Sequence, residues 1–330
     1  MGICSLCRGF VAAEAAGEDA LRNLLHSAMG READCIVGIS GGRDSCYAAY
    51  LAVRRFGVRA VAVSYQHPFV TELARKNTAA VCASLGIELE WVQSGDGLER
   101  DLVRGHLESM APAGTTMGMC RFCHYAVPAA LFGAATRRGA PFVLVGATRF
   151  ESWATPGRLA RLARRIAALP LHQMLRVVLG QARSLALVLQ LVRCWPLPSR
   201  NPLLPWVRPR FPADGPRLVR AFDYVTWDER EIEKVLEGEL GWQRPATALA
   251  WRYDCALEPL VDYSSLKLSD ISANGIFLSN LVRAGLWDRE AALEKLRVCE
   301  DPARLEKQLR EVLIFLGLPP DTFERFHQAR

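Results

Sequence analysis

The sequence predicts an α/β fold, a doubly wound parallel sheet with a helical insertion and a helical C-terminal region, and three observations carry the prediction. From Asp34 onward, short apolar runs rich in β-branched residues alternate with amphipathic stretches of helical length. The first of these runs passes directly into a glycine-rich turn and then into a helical pattern. Half of the 330 residues are apolar and only 23% are charged, so the chain can bury one substantial core and a second, smaller one.

Taken in order, Cys35 to Ile39, Val58 to Ser64, Ile87 to Val92 and Phe142 to Val145 read as strands. Between them, Ser45 to Phe56, Thr71 to Leu85, Leu98 to Met110 and Tyr125 to Arg138 place Ala, Leu and charged residues at helical spacing. Strands separated by helices imply parallel pairing with helices on both faces, and ligands then gather at the carboxyl ends of the strands. Four segments follow: an N-terminal stretch (1–33), an α/β domain (34–151), an arginine-rich helical insertion (152–216) and a helical C-terminal region (217–330) with helical patterns at Asp228 to Glu239, Asp288 to Val298 and Pro302 to Leu316.

The net charge of +6 is modest, but its distribution is not: ten arginines and no Asp or Glu lie between Ser152 and Ala213. No basic and apolar leader opens the sequence, and no apolar run approaches the roughly 20 residues that span a bilayer, so a cytoplasmic chain is expected, with membrane association left open. In such a chain ten cysteines point to metal ligation, catalysis or core packing rather than to disulfides.

The chemistry starts at Ser40-Gly41-Gly42-Arg43-Asp44-Ser45, between the first strand and its helix. Glycines let backbone N–H groups approach an anion, and the helix N-terminus adds unsatisfied donors and a positive dipole end. Ser40 and Ser45 supply hydroxyl donors, Arg43 a charge, and Asp44 a carboxylate able to hold magnesium or cap the helix. No Walker G-x-x-x-x-G-K-[ST] is present. The competing reading is an ordinary strand-to-helix turn containing two glycines.

This segment resembles the SGGxDS pyrophosphate loop of the PP-loop ATP pyrophosphatases, with Arg43 standing where lysine is usual. The resemblance implies a HUP-like α/β domain that binds ATP with Mg2+, grips the β and γ phosphates on the loop, and transfers AMP to an acceptor oxygen. It also implies adenine contacts at the end of the second strand, near Ser64, and at Gly146 after the fourth. A GHNxxDE signature common after that strand is absent; Val145-Gly146-Ala147-Thr148-Arg149-Phe150-Glu151 stands in its place.

Met119-Cys120-Arg121-Phe122-Cys123-His124 is a CxxC at the start of a predicted helix, on the nucleotide side of the sheet, and Cys255 follows far along in Arg252-Tyr-Asp-Cys255. Loop, then CxxC, then a lone cysteine resembles the iron-sulfur tRNA thiolation enzymes. That likeness implies a [4Fe-4S] cluster on Cys120, Cys123 and Cys255 whose open iron binds sulfide, and it makes these three cysteines catalytic together with Asp44. Cys194 is the rival third ligand; zinc, a redox pair or plain burial are the competing readings of the CxxC. Cys4 and Cys7 make a second CxxC that is short of two ligands for a closed zinc site, while Cys35, Cys46, Cys82 and Cys299 read as core.

Asp223 to Ile232, Leu240-Gly-Trp242, Tyr253-Asp-Cys255 and Leu286 to Ala292 are similar to the tail of bacterial N-acetyl sugar amidotransferases, which implies ammonia and a sugar as the alternative. The expected enzyme is therefore an AMP-forming sulfurtransferase, or else an amidotransferase. Its acceptor would be a small molecule, a sugar or RNA, its donor a sulfur- or ammonia-delivering protein, and its assembly a homodimer. A nucleotide-binding subunit without catalysis is a third reading. In the insertion, Arg158, Arg161, Arg164, Arg165, Arg176, Arg183 and Arg193 admit a face for RNA, a membrane-surface helix, or a solvated arginine face over a local core.

Overall fold

The computed structural model describes residues 5–11, 14–93, 97–110, 119–151, 158–193, 215–245, 253–319 and 322. Five strands form one parallel sheet in the order β3-β2-β1-β4-β5: β1 (Cys35–Gly38), β2 (Ala60–Gln66), β3 (Leu89–Gln93), β4 (Phe142–Val145) and β5 (Arg217–Arg220). The chain order reverses direction beside β1, so the crevice between β1 and β4 is the switch point where α/β sheets bind ligands.

Helices α1 (Ser5–Arg8) and α2 (Glu18–His26) precede the sheet. Then α3 (Arg43–Tyr50), α4 (Glu72–Leu85), α5 (Leu98–Met110) and α6 (Arg121–Arg138) alternate with the strands as the spacing predicts. The insertion forms α7 (Arg158–Ala167) and α8 (Leu171–Arg193). The C-terminal region adds β5, α9 (Glu229–Glu239), α10 (Glu258–Ser269), α11 (Ala273–Arg283), α12 (Arg289–Cys299) and α13 (Pro302–Leu316).

Strand alternation explains why both faces are covered. Cys35, Val37, Ala62, Leu144 and Val219 pack on one side with α2, α3, α9 and α11, whereas Ile36, Val61, Val63 and Val143 pack on the other against Leu131, Phe132, Ala134 and Ala135 of α6. A further apolar cluster joins Leu102, Val103 and Leu107 of α5, Phe122 of α6, and Leu309, Val312 and Leu313 of α13. Each buried Leu or Phe contributes about 1.5–3 kcal/mol, so α13 of the tail is held against α5 and α6 while α9 and α11 are held against the sheet. Cys35, Cys46, Cys82 and Cys299 are buried core thiols, as their positions in the pattern predict.

β5 is not legible in the sequence pattern, because only Val219 of its four residues is buried. It pairs with β4 from Phe142–Arg217 to Val145–Arg220, and the Arg217 N–H donates to the Pro141 carbonyl. Residues 152–216 are therefore the crossover between two parallel neighbours, a connection that must return along the whole length of the sheet.

Candidate functional site

The loop Ser40–Ser45 leaves β1 at the carboxyl edge of the sheet and enters α3, with Gly42 as N-cap. Gly41 holds φ +81°, and a Cβ there would lie 2.0 Å from the Ala74 carbonyl oxygen of α4, so only glycine fits. Inside the loop the Ser45 hydroxyl donates to the Gly42 carbonyl at 3.0 Å and accepts from the Ser40 N–H at 3.1 Å. The Ser40 hydroxyl lies 3.1 Å from it and accepts from the Gly42 N–H. No side chain caps α3, which leaves its first-turn N–H groups for an anion.

Gly146, just beyond β4, approaches this turn so closely that a Cβ would meet the Asp44 carbonyl oxygen at 2.2 Å. Ser64, near the end of β2, is buried and accepts from the Gln66 amide. The ends of β1, β2 and β4 thus converge, and the carboxyl edge of the sheet brings together the loop, Ser64 and Gly146.

The charged pair of the loop is arranged differently from the sequence reading, in which Arg43 adds its charge to the phosphates. Arg43 is 8% exposed and its guanidinium donates to Asp44 at 3.0 Å and to Glu229 at 2.7 Å, with Glu233 at 3.6 Å and the Trp227 ring centroid at 4.9 Å. Burial opposes its charge, but Asp44, Glu229 and Glu233 outweigh burial and hold its pKa above the ordinary value. Glu229 moves up as well, because its burial and the charge of Glu233 exceed the pull of Arg43. Asp44 Oδ1 accepts from both Arg43 and the Trp227 indole (3.1 Å), and no donor falls on Oδ2 among the described residues. The carboxylate is fixed with one oxygen available to a cation.

The tail supplies residues that the sequence shows only as parts of its tail motif, with no role at the loop. Trp242 donates its indole N–H to the Gly41 carbonyl at 3.1 Å, and Asn77 of α4 holds the Gln243 backbone through two hydrogen bonds. Thr71, the N-cap of α4, donates to the Tyr253 carbonyl at 2.8 Å. Asp254 Oδ2 lies 3.4 Å from a Cβ built on Gly42, so a second carboxylate flanks the loop. Its position beside Cys255 in Tyr253-Asp-Cys255 was the one available signal.

Cys255 forms an antiparallel bridge with Val70, and the Ala256 N–H donates to the Phe69 carbonyl at 2.8 Å. That pairing delivers Cys255 to the apolar cluster where Cys120 and Cys123 of the α6 N-terminus also lie. Cys123 is pushed well above the usual thiol range by burial, then by Cys120 and Cys255; Cys255 is raised by burial and then by Cys120. The helix terminus would lower these thiols, but burial prevails. Among the described residues no three His, Cys, Asp or Glu side chains already stand as a metal-binding group. The donor set itself fits a soft metal or an iron-sulfur cluster, since three thiols from two distant segments share one apolar patch and a cation would relieve their mutual repulsion. Cys194 and Cys4 lie outside the described residues, and Cys7 is exposed in α1.

Two cavities adjoin these groups. One, of about 360 Å³, is lined by Phe69, Thr71, Tyr253, Cys255, Glu258 and Arg304 among others. The second, of about 290 Å³, is lined by Arg43, Glu229, Arg230, Trp242, Tyr253 and Lys295 among others. Tyr253 borders both.

Residues 15–100, which carry β1, the loop, α3, β2, α4 and β3, match the NAD synthase family, and over this segment the chain resembles the PP-loop enzymes. No curated protein sequence matches it significantly. Among solved structures, the U34-tRNA thiolase NcsA from Methanococcus maripaludis with its [4Fe-4S] cluster aligns over 87% of this chain and 77% of its own, at 16% identity and a TM-score of 0.38, a likeness that carries no argument about activity.

Proposed function

We propose that this PP-loop chain adenylates an acceptor oxygen with ATP and replaces it with sulfur. The observation that carries the reading is the meeting of a phosphate-shaped loop with three thiols: the segment that brings Cys255 to Cys120 and Cys123 also brings Asp254 against Gly42. The first-turn N–H groups of α3 and the hydroxyls of Ser40 and Ser45 hold the β and γ phosphates, and Asp44, with Asp254, would hold Mg2+, which would supply positive charge against the phosphates. Adenine is received at Ser64 and Gly146. The acceptor oxygen attacks the α phosphorus, the bond between the α phosphorus and the bridging oxygen breaks, and pyrophosphate leaves with its charge met by the N–H groups and hydroxyls of the loop. A sulfur nucleophile then attacks the activated carbon and AMP departs.

Cys120, Cys123 and Cys255 would hold an iron-sulfur cluster, which supplies an open iron for sulfide. Their own part is to fix the sulfur donor beside the cavity of about 360 Å³, where the acceptor is received. Amide formation with ammonia on a sugar is the second reading, favoured by the resemblance of the tail.

The test is anaerobic purification with iron and sulfide analysis, alongside ATP–pyrophosphate release. Cys120→Ser, Cys123→Ser and Cys255→Ser should each lower iron content and turnover, whereas Cys46→Ser and Cys299→Ser leave iron unchanged. Asp44→Ala should remove pyrophosphate release without loss of iron. An iron-free preparation that is fully active would move the assignment to ammonia transfer, and ATP binding with no pyrophosphate release would identify a non-catalytic nucleotide-binding subunit.

A further inference from the structure

Among the described residues, α7 and α8 of the arginine-rich crossover supply none of the hydrogen bonds or ion pairs made by the loop Ser40–Ser45. One face of α8 packs on α5: Val177 is buried beside Met110, the Gln181 amide donates to the Ser109 hydroxyl at 2.9 Å, and a Cβ on Gly180 would lie 2.3 Å from Ser109 Cβ. The opposite face carries Leu171, Leu175, Val178 and Leu179, exposed by 66%, 46%, 53% and 65%. At 3.6 residues per turn these four occupy an arc of roughly 100°, with exposed Arg176 and Arg183 along one edge. Arg164 of α7 is exposed as well. Among the described residues none of these three arginines has an ion pair, and no acidic residue occurs between Ser152 and Ala213 to offer one.

A contiguous aliphatic stripe edged by uncompensated cations is poorly suited to water and well suited to a surface that is apolar below and anionic above. We propose that this face of α8 docks on an anionic lipid bilayer, its leucines and valine entering the acyl boundary while Arg176 and Arg183 meet lipid phosphates. The helix lies on the membrane rather than across it, because among the described residues no helix is long and apolar enough to span one. RNA fits less well, since the exposed stripe holds no aromatic ring on which a base could stack. The inference stands apart from the sulfur reading, because it uses no residue of the nucleotide or cysteine sites.

The experiment is co-sedimentation of the full chain with vesicles of phosphatidylcholine plus phosphatidylglycerol, against vesicles of phosphatidylcholine alone, at low and high salt. Binding should require the anionic lipid and weaken with salt. Arg176→Gln and Arg183→Gln should each lower partitioning about five-fold, as expected for about 1 kcal/mol per basic residue. Leu175→Ser with Leu179→Ser should lower it at least about ten-fold. All four positions are exposed, so melting temperature should not change, and that measurement separates lost docking from lost folding. Wild-type protein that ignores anionic vesicles, a double Leu variant that binds like wild type, or salt-dependent capture of single-stranded RNA in place of vesicles would each overturn the proposal.

Discussion

At the scale of single residues, Arg43 binds the loop to the tail. Its guanidinium is buried between Asp44, Glu229 and Glu233 and lies over Trp227, so removing it takes the ion-pair partner from Asp44 and Glu229, while Glu233 keeps Arg244. Arg43→Met should cost about 3–5 kcal/mol in urea unfolding, the usual penalty for breaking a buried ion pair from one side, while Arg43→Lys retains part of the stability but none of the forked geometry. His67 sets a pH dependence. Its ring is packed among Tyr65, Phe69 and Phe122, and burial, with a smaller push from Arg75, lowers its pKa from 6.5 to about 4. The folded state prefers the neutral ring, so this contribution to stability is complete above pH 6.5 and is lost as the pH falls toward 4. The loss amounts to about 3 kcal/mol. Denaturation midpoints measured through that window should fall in the wild type and flatten in His67→Gln.

At the scale of elements, the contact of β4 with α3 decides whether the phosphate loop keeps its shape. Gly146→Ala would place a methyl 2.2 Å from the Asp44 carbonyl oxygen, so α3 must shift at its N-terminus. Pyrophosphate release should fall by at least about a hundred-fold, since a displacement near 1 Å is enough for that loss, while circular dichroism stays unchanged. The same contact shows what the sequence could reveal. β1, the loop and α3 were legible because strand pattern, glycines and hydroxyls all lie within a few neighbouring residues, and a local rule suffices. The destination of Arg43 was not legible, because its partner Glu229 is 186 positions away and any surface acid on a helical start reads alike. β5 was hidden for a related reason, since a four-residue strand with one buried side chain has no period to detect. Cys255 lies in one apolar cluster with Cys120 and Cys123, whereas Asp254 and Trp242, visible in the sequence only as parts of the tail motif, take their contacts from a tail that folds back to Thr71, Gly42 and Gly41.

At the scale of the whole molecule, the arginine-rich segment is a crossover and not an appendage, and this fixes what its removal can do. β4 and β5 run parallel as neighbours, so any chain joining them must travel from the carboxyl edge back to the amino edge, which takes a dozen or more residues. Deleting residues 157–209 leaves eighteen residues between Val145 and Arg217, at 146–156 and 210–216, above that minimum. Among the described residues the deletion removes the packing of α8 on α5 and α6 and of α7 on α10, with the small cluster of Met110 and Val177, and it touches none of the hydrogen bonds of Trp227 and Trp242 to the loop or the bridge of Cys255. The shortened chain should therefore bind ATP with unchanged affinity and melt only modestly lower, while losing whatever docking α8 provides. Calorimetric titration with ATP checks the first outcome and thermal unfolding the second. If ATP binding vanishes while the chain stays folded, the crossover itself shapes the nucleotide site. If the chain no longer folds, the contacts of α8 with α5 and α6 belong to the core of the domain.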